Sequence, residues 1–157
     1  MIYQFTEEHE FLSNFWACRV KYGRRVYPSA EHAYQASKTL DERERKDIRL
    51  AYSPARAKEI GKRVTLRPDW STNTREFAMY EVLSAKFKGE DLELAKMLVD
   101  TGNEILCEGN NWHDNYWGDC FCPRCKHIVG ANTLGDLLMI VRDEVRFNPR
   151  IRSTNGL

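Results

Sequence analysis

A carboxylate and an amine, Glu31 and Lys38, stand in the stretch YPSAEHAYQASKTL, Tyr27 to Leu40. On a helix, residues at i, i+4 and i+7 share a face, so Glu31, Gln35 and Lys38 project together with Tyr34 beside them. Such a face can do acid–base or nucleophilic work. The carboxylate can move a proton, and an amine that has lost its own can attack carbon. The same two residues have an ordinary alternative as solvated charges. A carboxylate in the first turn complements the helix dipole by about 0.3–1 kcal/mol, and a lysine near the C-terminus is favoured for the same reason. Spacing aligns the groups; it does not give them a task.

Two further constellations could carry chemistry. RPDW sets Trp70 beside Arg67 and Asp69, and NNWHDNYWGD sets Trp112, Tyr116 and Trp117 among Asp114, Gly118 and Asp119. Flat rings stack on bases and sugars at about 1–3 kcal/mol per base in single-strand binders. The competing expectation is that these rings plug a loop onto the core; it weighs more for Trp112 than for Trp117. The third constellation is CFCPRCKH, in which Cys120, Cys122, Cys125 and His127 could hold a tetrahedral structural zinc. His113 is a second source for the fourth ligand, and free thiols are the alternative to metal.

These residues need elements to position them. MIYQF and EILCE read as short strands, and CRVKY and RVY, parted by Gly23-Arg24, read as a hairpin. Ser29 can cap a helix running to about Leu40, and Ser53-Pro54 starts another that fades near Gly61. DERERKDIR reads as a solvated helix face. Met79, Val82, Leu83 and Phe87 form the apolar stripe of a helix over about 73–87, and Leu94, Ala95 and Leu98 mark the next. The last helix starts near Asn132-Thr133 and buries Leu134, Leu137, Leu138, Val141 and Val145. The segment between, rich in Gly, Asn and Asp, reads as a long loop, and loops of that length tend to be functional. The expectation is a compact, predominantly helical α+β single domain over 1–147 with a small N-terminal β element. A flexible C-terminal tail is expected over 148–157.

Composition narrows the functions. With 24 basic and 23 acidic side chains the net charge is +1, so the chain as a whole makes no electrostatic case for a polyanion partner. No apolar run reaches membrane-spanning length and the N-terminus does not read as a signal peptide, which predicts a cytoplasmic protein without a membrane partner. The five cysteines, three of them within six positions, do not form a secreted disulfide framework.

The motifs taken together resemble the NADAR superfamily of YbiA-like N-glycosidases over nearly the whole chain. The matching segments are FLSNF (Phe11–Phe15), YPSAEHAYQASKT (Tyr27–Thr39), SPARAKEIGK (Ser53–Lys62), RPDW (Arg67–Trp70), MYEVLSAKF (Met79–Phe87), YWGD (Tyr116–Asp119) and GANTLGDLLMIVRDE (Gly130–Glu144). The resemblance implies cleavage of a ribose C1–N bond. It also implies two classes of substrate: ADP-ribose attached to guanine in nucleic acid or nucleotide, or phosphoribosylamino-pyrimidine intermediates of riboflavin synthesis. Carried onto this sequence, it implies Glu31, Lys38 and Asp119 as catalytic groups. Asn14, Phe15, His32, Gln35, Arg67, Trp70, Trp117 and Gly118 are implied as substrate contacts. It implies no cofactor for catalysis, and a cognate ADP-ribosyltransferase toxin as the source of the substrate. The Cys120–Cys125 cluster departs from relatives that lack cysteines after YWGD, so any metal here would be a brace.

The chemistry of such a bond is demanding in two places. Positive charge grows on the sugar and negative charge on the leaving nitrogen. A carboxylate near C1 steadies the first, an acid protonates the second, and a neutral Lys38 offers a covalent route through a Schiff base. Two rival readings use the same residues: a non-catalytic reader of ADP-ribose or nucleotides, and a zinc-braced nucleic-acid-binding protein.

Overall fold

The computed structural model describes residues 1–152. It is α+β and predominantly helical, with a small β hairpin near the N-terminus. Two compact units can be distinguished: Asn14–Gly89, and a second made of Met1–Ser13 with the chain from Glu90 onward.

In the first unit, β1 (Ala17–Tyr22) pairs antiparallel with β2 (Arg25–Ser29), with Val20 opposite Tyr27 and Tyr22 opposite Arg25. The turn works because Gly23 sits at φ +60°, a conformation that side-chain-bearing residues resist. Strand β2 runs straight into α1 (Ala30–Ser37), whose N-cap Ser29 accepts the His32 N–H. Every residue of α1 is buried, because α2 (Glu42–Arg49), α3 (Pro54–Gly61), α4 (Thr72–Phe87) and the hairpin all pack on it. The closest approach is at Gly61, where an added Cβ would lie 1.9 Å from the Gln35 Oε1. The α4 stripe is buried as its spacing predicts.

Helix α1 ends at Ser37, three residues before the expected Leu40. The chain turns there because Thr39 is claimed from outside the helix. Its hydroxyl donates to Glu44 Oε2 at 2.5 Å, and its carbonyl accepts from the Arg45 side chain at 2.8 Å. Glu44 also accepts the Thr65 N–H, so the solvated-looking helix α2 ties the end of α1 to the loop leading towards RPDW.

In the second unit, α5 (Leu92–Asp100) and α6 (Thr133–Arg146) pack together through Leu94, Leu98, Leu134, Leu138 and Val141. MIYQF and EILCE run as extended chain joined by a single parallel bridge, Ile2 to Leu106. Inside the long loop, β3 (Gly109–Asn110) and β4 (Asp119–Cys120) form a short parallel pair. One expectation is corrected here: residues 149–152 are a helical turn, α7 (Pro149–Arg152), rather than the start of a tail. Ile151 is buried where α7 meets α5 and α6, which gives the segment an anchor its polar composition hides. The rest of the expected tail, 153–157, lies outside the described residues. No described helix is long and apolar enough to cross a membrane.

Candidate active site

The face of α1 picked out by spacing is turned inward. Glu31 is 7% exposed and Gln35 3%. The Gln35 amide donates to Glu31 Oε1 at 2.7 Å, which fixes the orientation of that amide and leaves its oxygen against Gly61. Gln35 therefore positions Glu31, and its own buried Oε1 has no hydrogen-bond partner among the described residues. Asn14 is held to the same helix through its backbone carbonyl, which accepts the Glu31 N–H at 2.9 Å. Its buried Oδ1 has no hydrogen-bond partner among the described residues. Phe15, the next residue, is exposed.

Lys38 stands at the C-cap of this helix, half-buried. Burial pushes its ammonium below the ordinary lysine value. The Glu31 carboxylate pushes it back up, and Lys58 and Lys62 push it further down. The net direction is downward, towards the neutral amine. Its Nζ lies 5.6 Å from the centre of the Tyr34 ring. The Lys38 carbonyl accepts the Arg67 N–H at 2.8 Å, and this bond stitches RPDW to the end of α1. Trp70 is thereby set against Tyr34, with ring centres 6.0 Å apart and planes inclined at 50°. Amine, carboxylate, phenol ring and indole thus belong to one patch of the first unit.

Two expected contacts are otherwise engaged. His32 is 2% exposed and spends both ring nitrogens internally, on the Ser29 hydroxyl at 2.6 Å and the Ala51 carbonyl at 3.0 Å. A carbonyl can only accept, so Nε2 carries the proton and Nδ1 accepts from Ser29; burial lowers the His32 pKa in keeping with this neutral form. His32 is engaged in capping α1 and in binding the Ala51 carbonyl, where the expectation was a substrate contact. Arg67 forks onto Asp69 at 2.6 and 3.0 Å, so a phosphate would have to compete with that carboxylate.

The remaining expected residues lie in the second unit and form their own group. Asp119 opens β4. One of its oxygens accepts the Gly130 N–H at 2.8 Å and the other the Tyr3 hydroxyl at 3.0 Å. Burial and the Asp119 carboxylate both push the Tyr3 phenol up, so Tyr3 stays a proton donor. Trp117 meets Tyr116 edge to face at 4.9 Å, and its backbone N–H donates to Asp114 Oδ1 at 2.8 Å. Gly118 is required by crowding, since a Cβ there would lie 2.1 Å from the Glu108 carbonyl oxygen. Trp112 is exposed and plugs nothing.

Beside Asp119, three thiols and an imidazole converge, but the imidazole is His113. The ligating atoms of His113, Cys120, Cys122 and Cys125 lie within 4.8 Å of one another. His127 is exposed and outside this group, which corrects the expected ligand set. A turn in which the Cys125 N–H donates to the Cys122 carbonyl at 2.9 Å links the two cysteines of the CxxC pair.

Sequence reading missed the two groups that hold these sites, Tyr3 and Asn132. Asn132 accepts the Glu108 N–H and donates to the Leu106 carbonyl, and it takes φ +52° at the head of α6. An Asn before a helix signals a cap; it does not reveal that the side chain is used across the fold.

Residues 2–146 match the NADAR domain. The chain is 35% identical to N-glycosidase YbiA of Escherichia coli (strain K12), over 91% of this chain and 86% of that one. It is 32% identical to N-glycosidase Npun_R5314 of Nostoc punctiforme, over 92% and 90% of the two. It is 34% identical to riboflavin biosynthesis protein VVA0006 of Vibrio vulnificus, covering 92% of this chain and 38% of that larger protein. The NMR structure of E. coli YbiA superposes with a TM-score of 0.77 over 92% of this chain and 83% of that one. A match of this extent in both sequence and fold makes the chain a member of the NADAR domain family.

Proposed function

We propose that the chain is an N-glycosidase that hydrolyses a ribose C1–N bond, and that its substrate is guanine carrying ADP-ribose, in nucleic acid or as nucleotide. The observation that carries the reading is the α1 patch. There a buried carboxylate, oriented by Gln35, acts on an amine whose pKa is pushed down by burial, and that amine stands by the Tyr34 ring, which in turn meets Trp70. A hydrolase that only needed surface charge would have no use for desolvating a lysine.

The steps balance as follows. Neutral Lys38 Nζ forms a bond to C1 as the C1–N bond breaks, and an acid gives the leaving nitrogen its proton. The C1–O4 bond then opens to a Schiff base, with a proton passing to O4. Water adds at C1 and Lys38 departs as the free amine. Glu31, the carboxylate that acts on Lys38 in this patch, is the proton carrier. Trp70 supplies a face for base or ribose, Asn14 an acceptor for a hydroxyl, and Arg67 exchanges Asp69 for phosphate. An ADP-ribosyltransferase that writes the mark is the partner this substrate implies.

A second reading is favoured by the similarity to the Vibrio protein, which runs along this whole domain: a phosphoribosylamino-pyrimidine as substrate. One experiment separates the two. The protein is incubated with guanine-ADP-ribosylated DNA and with the pyrimidine glycoside, and free ADP-ribose and ribose phosphate are assayed. Release of ADP-ribose supports the first reading, and release of ribose phosphate alone moves the assignment to the second. Binding without release of either leaves a non-catalytic reader and overturns both. Borohydride added during turnover should fix an adduct on Lys38; turnover without an adduct leaves direct attack by water.

A further inference from the structure

We infer that His113, Cys120, Cys122 and Cys125 form a closed tetrahedral zinc site that fixes the strand carrying Asp119. The three sulfurs are buried, and none is in a disulfide. The His113 Nδ1 lies 3.2 Å from Cys122 Sγ and 3.4 Å from Cys125 Sγ. Zinc–sulfur bonds of about 2.3 Å and zinc–nitrogen bonds of about 2.0–2.1 Å give a tetrahedron with edges of roughly 3.5–3.8 Å. The observed separations, from 3.2 Å up to a largest of 4.8 Å, bracket those edges. One ion at the centre needs only small side-chain movements.

The backbone is shaped for this convergence. Cys120 closes β4, and the Phe121 N–H donates to the Asn110 carbonyl at 2.8 Å. Cys122 lies two residues on, the spacing that keeps a strand's side chains on one face, and the chain then bends into the turn that leads to Cys125. Cys122 and Cys125 form the two-residue-spaced knuckle. His113 reaches the sulfurs from a left-handed conformation, φ +70°, which a non-glycine residue keeps only where its surroundings demand it.

The sulfurs are also supported from outside. The His113 N–H points to Cys120 Sγ at 3.4 Å and the Asn115 amide to Cys125 Sγ at 3.3 Å. Such N–H donors stabilise metal-bound thiolates and orient them. The donor set is soft, three sulfurs and one imidazole with no carboxylate, which selects zinc over magnesium or calcium. Four protein ligands leave no open position for water, so the ion is a brace and not a catalyst. It braces a particular strand, because Asp119 is bonded directly to Cys120.

The test is metal content and spectroscopy on the full chain. Purified from zinc-supplemented cells, the protein should contain one zinc per chain by mass spectrometry. After removal of zinc under reducing conditions, cobalt(II) should restore a tetrahedral spectrum with sulfur-to-cobalt charge transfer. His113→Ala should weaken and shift that spectrum, while His127→Ala leaves it unchanged. Cys122→Ser provides a second ligand change, read as reduced zinc retention in competition with a chromogenic chelator. Protein that purifies without zinc and takes up no cobalt while its thiols are reduced overturns the site. A spectrum lost in His127→Ala and kept in His113→Ala overturns the ligand set. Neither outcome depends on glycosidase activity, so the site and the proposed reaction fail separately.

Discussion

Helix α1 and the 109–132 loop both withdraw polar side chains from water, and they do it by opposite means. In α1 the backbone satisfies itself, so Glu31, Gln35 and Lys38 are placed by helical period, and the Gln35 amide orients Glu31. In the loop, side chains do the backbone's work. Asn110 donates to the Asp114 carbonyl and accepts from the Trp112 and Asp114 N–H groups. Asp114 accepts from Tyr116 and Trp117, and Asn115 accepts from the Cys120 N–H. A helical site can therefore lose one side chain and keep its shape. A loop site loses shape with the first deletion.

The largest expected effect falls on the helix and is chemical. Lys38→Ala should cut glycosidase kcat/KM by about 10³-fold or more, as loss of a nucleophile does. Folding should not suffer. The folded protein holds the Lys38 proton less tightly than the unfolded chain does. Between the depressed value and the ordinary 10.5, the unfolded chain therefore binds more protons, and stability rises with pH across that window. Lys38→Met should remove that rise and melt higher at neutral pH, by an amount on the order of 1 kcal/mol. A Lys38 variant that unfolds would erase the contrast between helix and loop.

Glu31→Gln comes next, with a loss of about 10²-fold in kcat if the carboxylate carries protons. Glu31 is the group raising the Lys38 pKa, so its neutralisation lets that value fall further. The ascending limb of kcat/KM against pH should move to lower pH. A limb that moves up, or stays put, would separate Glu31 from Lys38.

On the loop side, Asn110→Ala should cost about 2 kcal/mol in urea unfolding, because it leaves several backbone groups of the 108–114 turn unpaired at once. A loss below about 0.5 kcal/mol would show that the loop is held by something other than its side chains.

The two regions also differed in how far they could be read in advance. For α1 the cap, the face and its members follow from Ser29 and from period, because the determinants are local. What was hidden is where the helix stops, since Glu44, Arg45 and Arg67 end it from outside. In the loop the side-chain bonds are short-range, but they follow no period that a sequence displays. His127 looked like the fourth ligand by nearness in sequence, yet His113 arrives from the far side of β4 through a positive φ that no composition rule announces. Ile151 escaped notice for the same reason: a single apolar residue in a polar run says nothing about the helices waiting for it.

The smallest expected effect is the sharpest test of helical placement. Gly61 of α3 faces Gln35 so closely that a Cβ would lie 1.9 Å from Oε1 and 2.7 Å from Cδ. In an open helix Gly→Ala stabilises by roughly 0.5–1 kcal/mol. Here Gly61→Ala must displace the Gln35 amide, so it should destabilise by about 1 kcal/mol instead, and it should lower kcat by loosening Glu31. Gln35→Ala removes Oε1 and Cδ and leaves only the Cβ, 3.0 Å away. In that background Gly61→Ala should lose most of its cost, and the double-mutant cycle should show a coupling of about 1 kcal/mol. Additive effects would mean that the amide lies elsewhere, and that Glu31 owes its orientation to another neighbour.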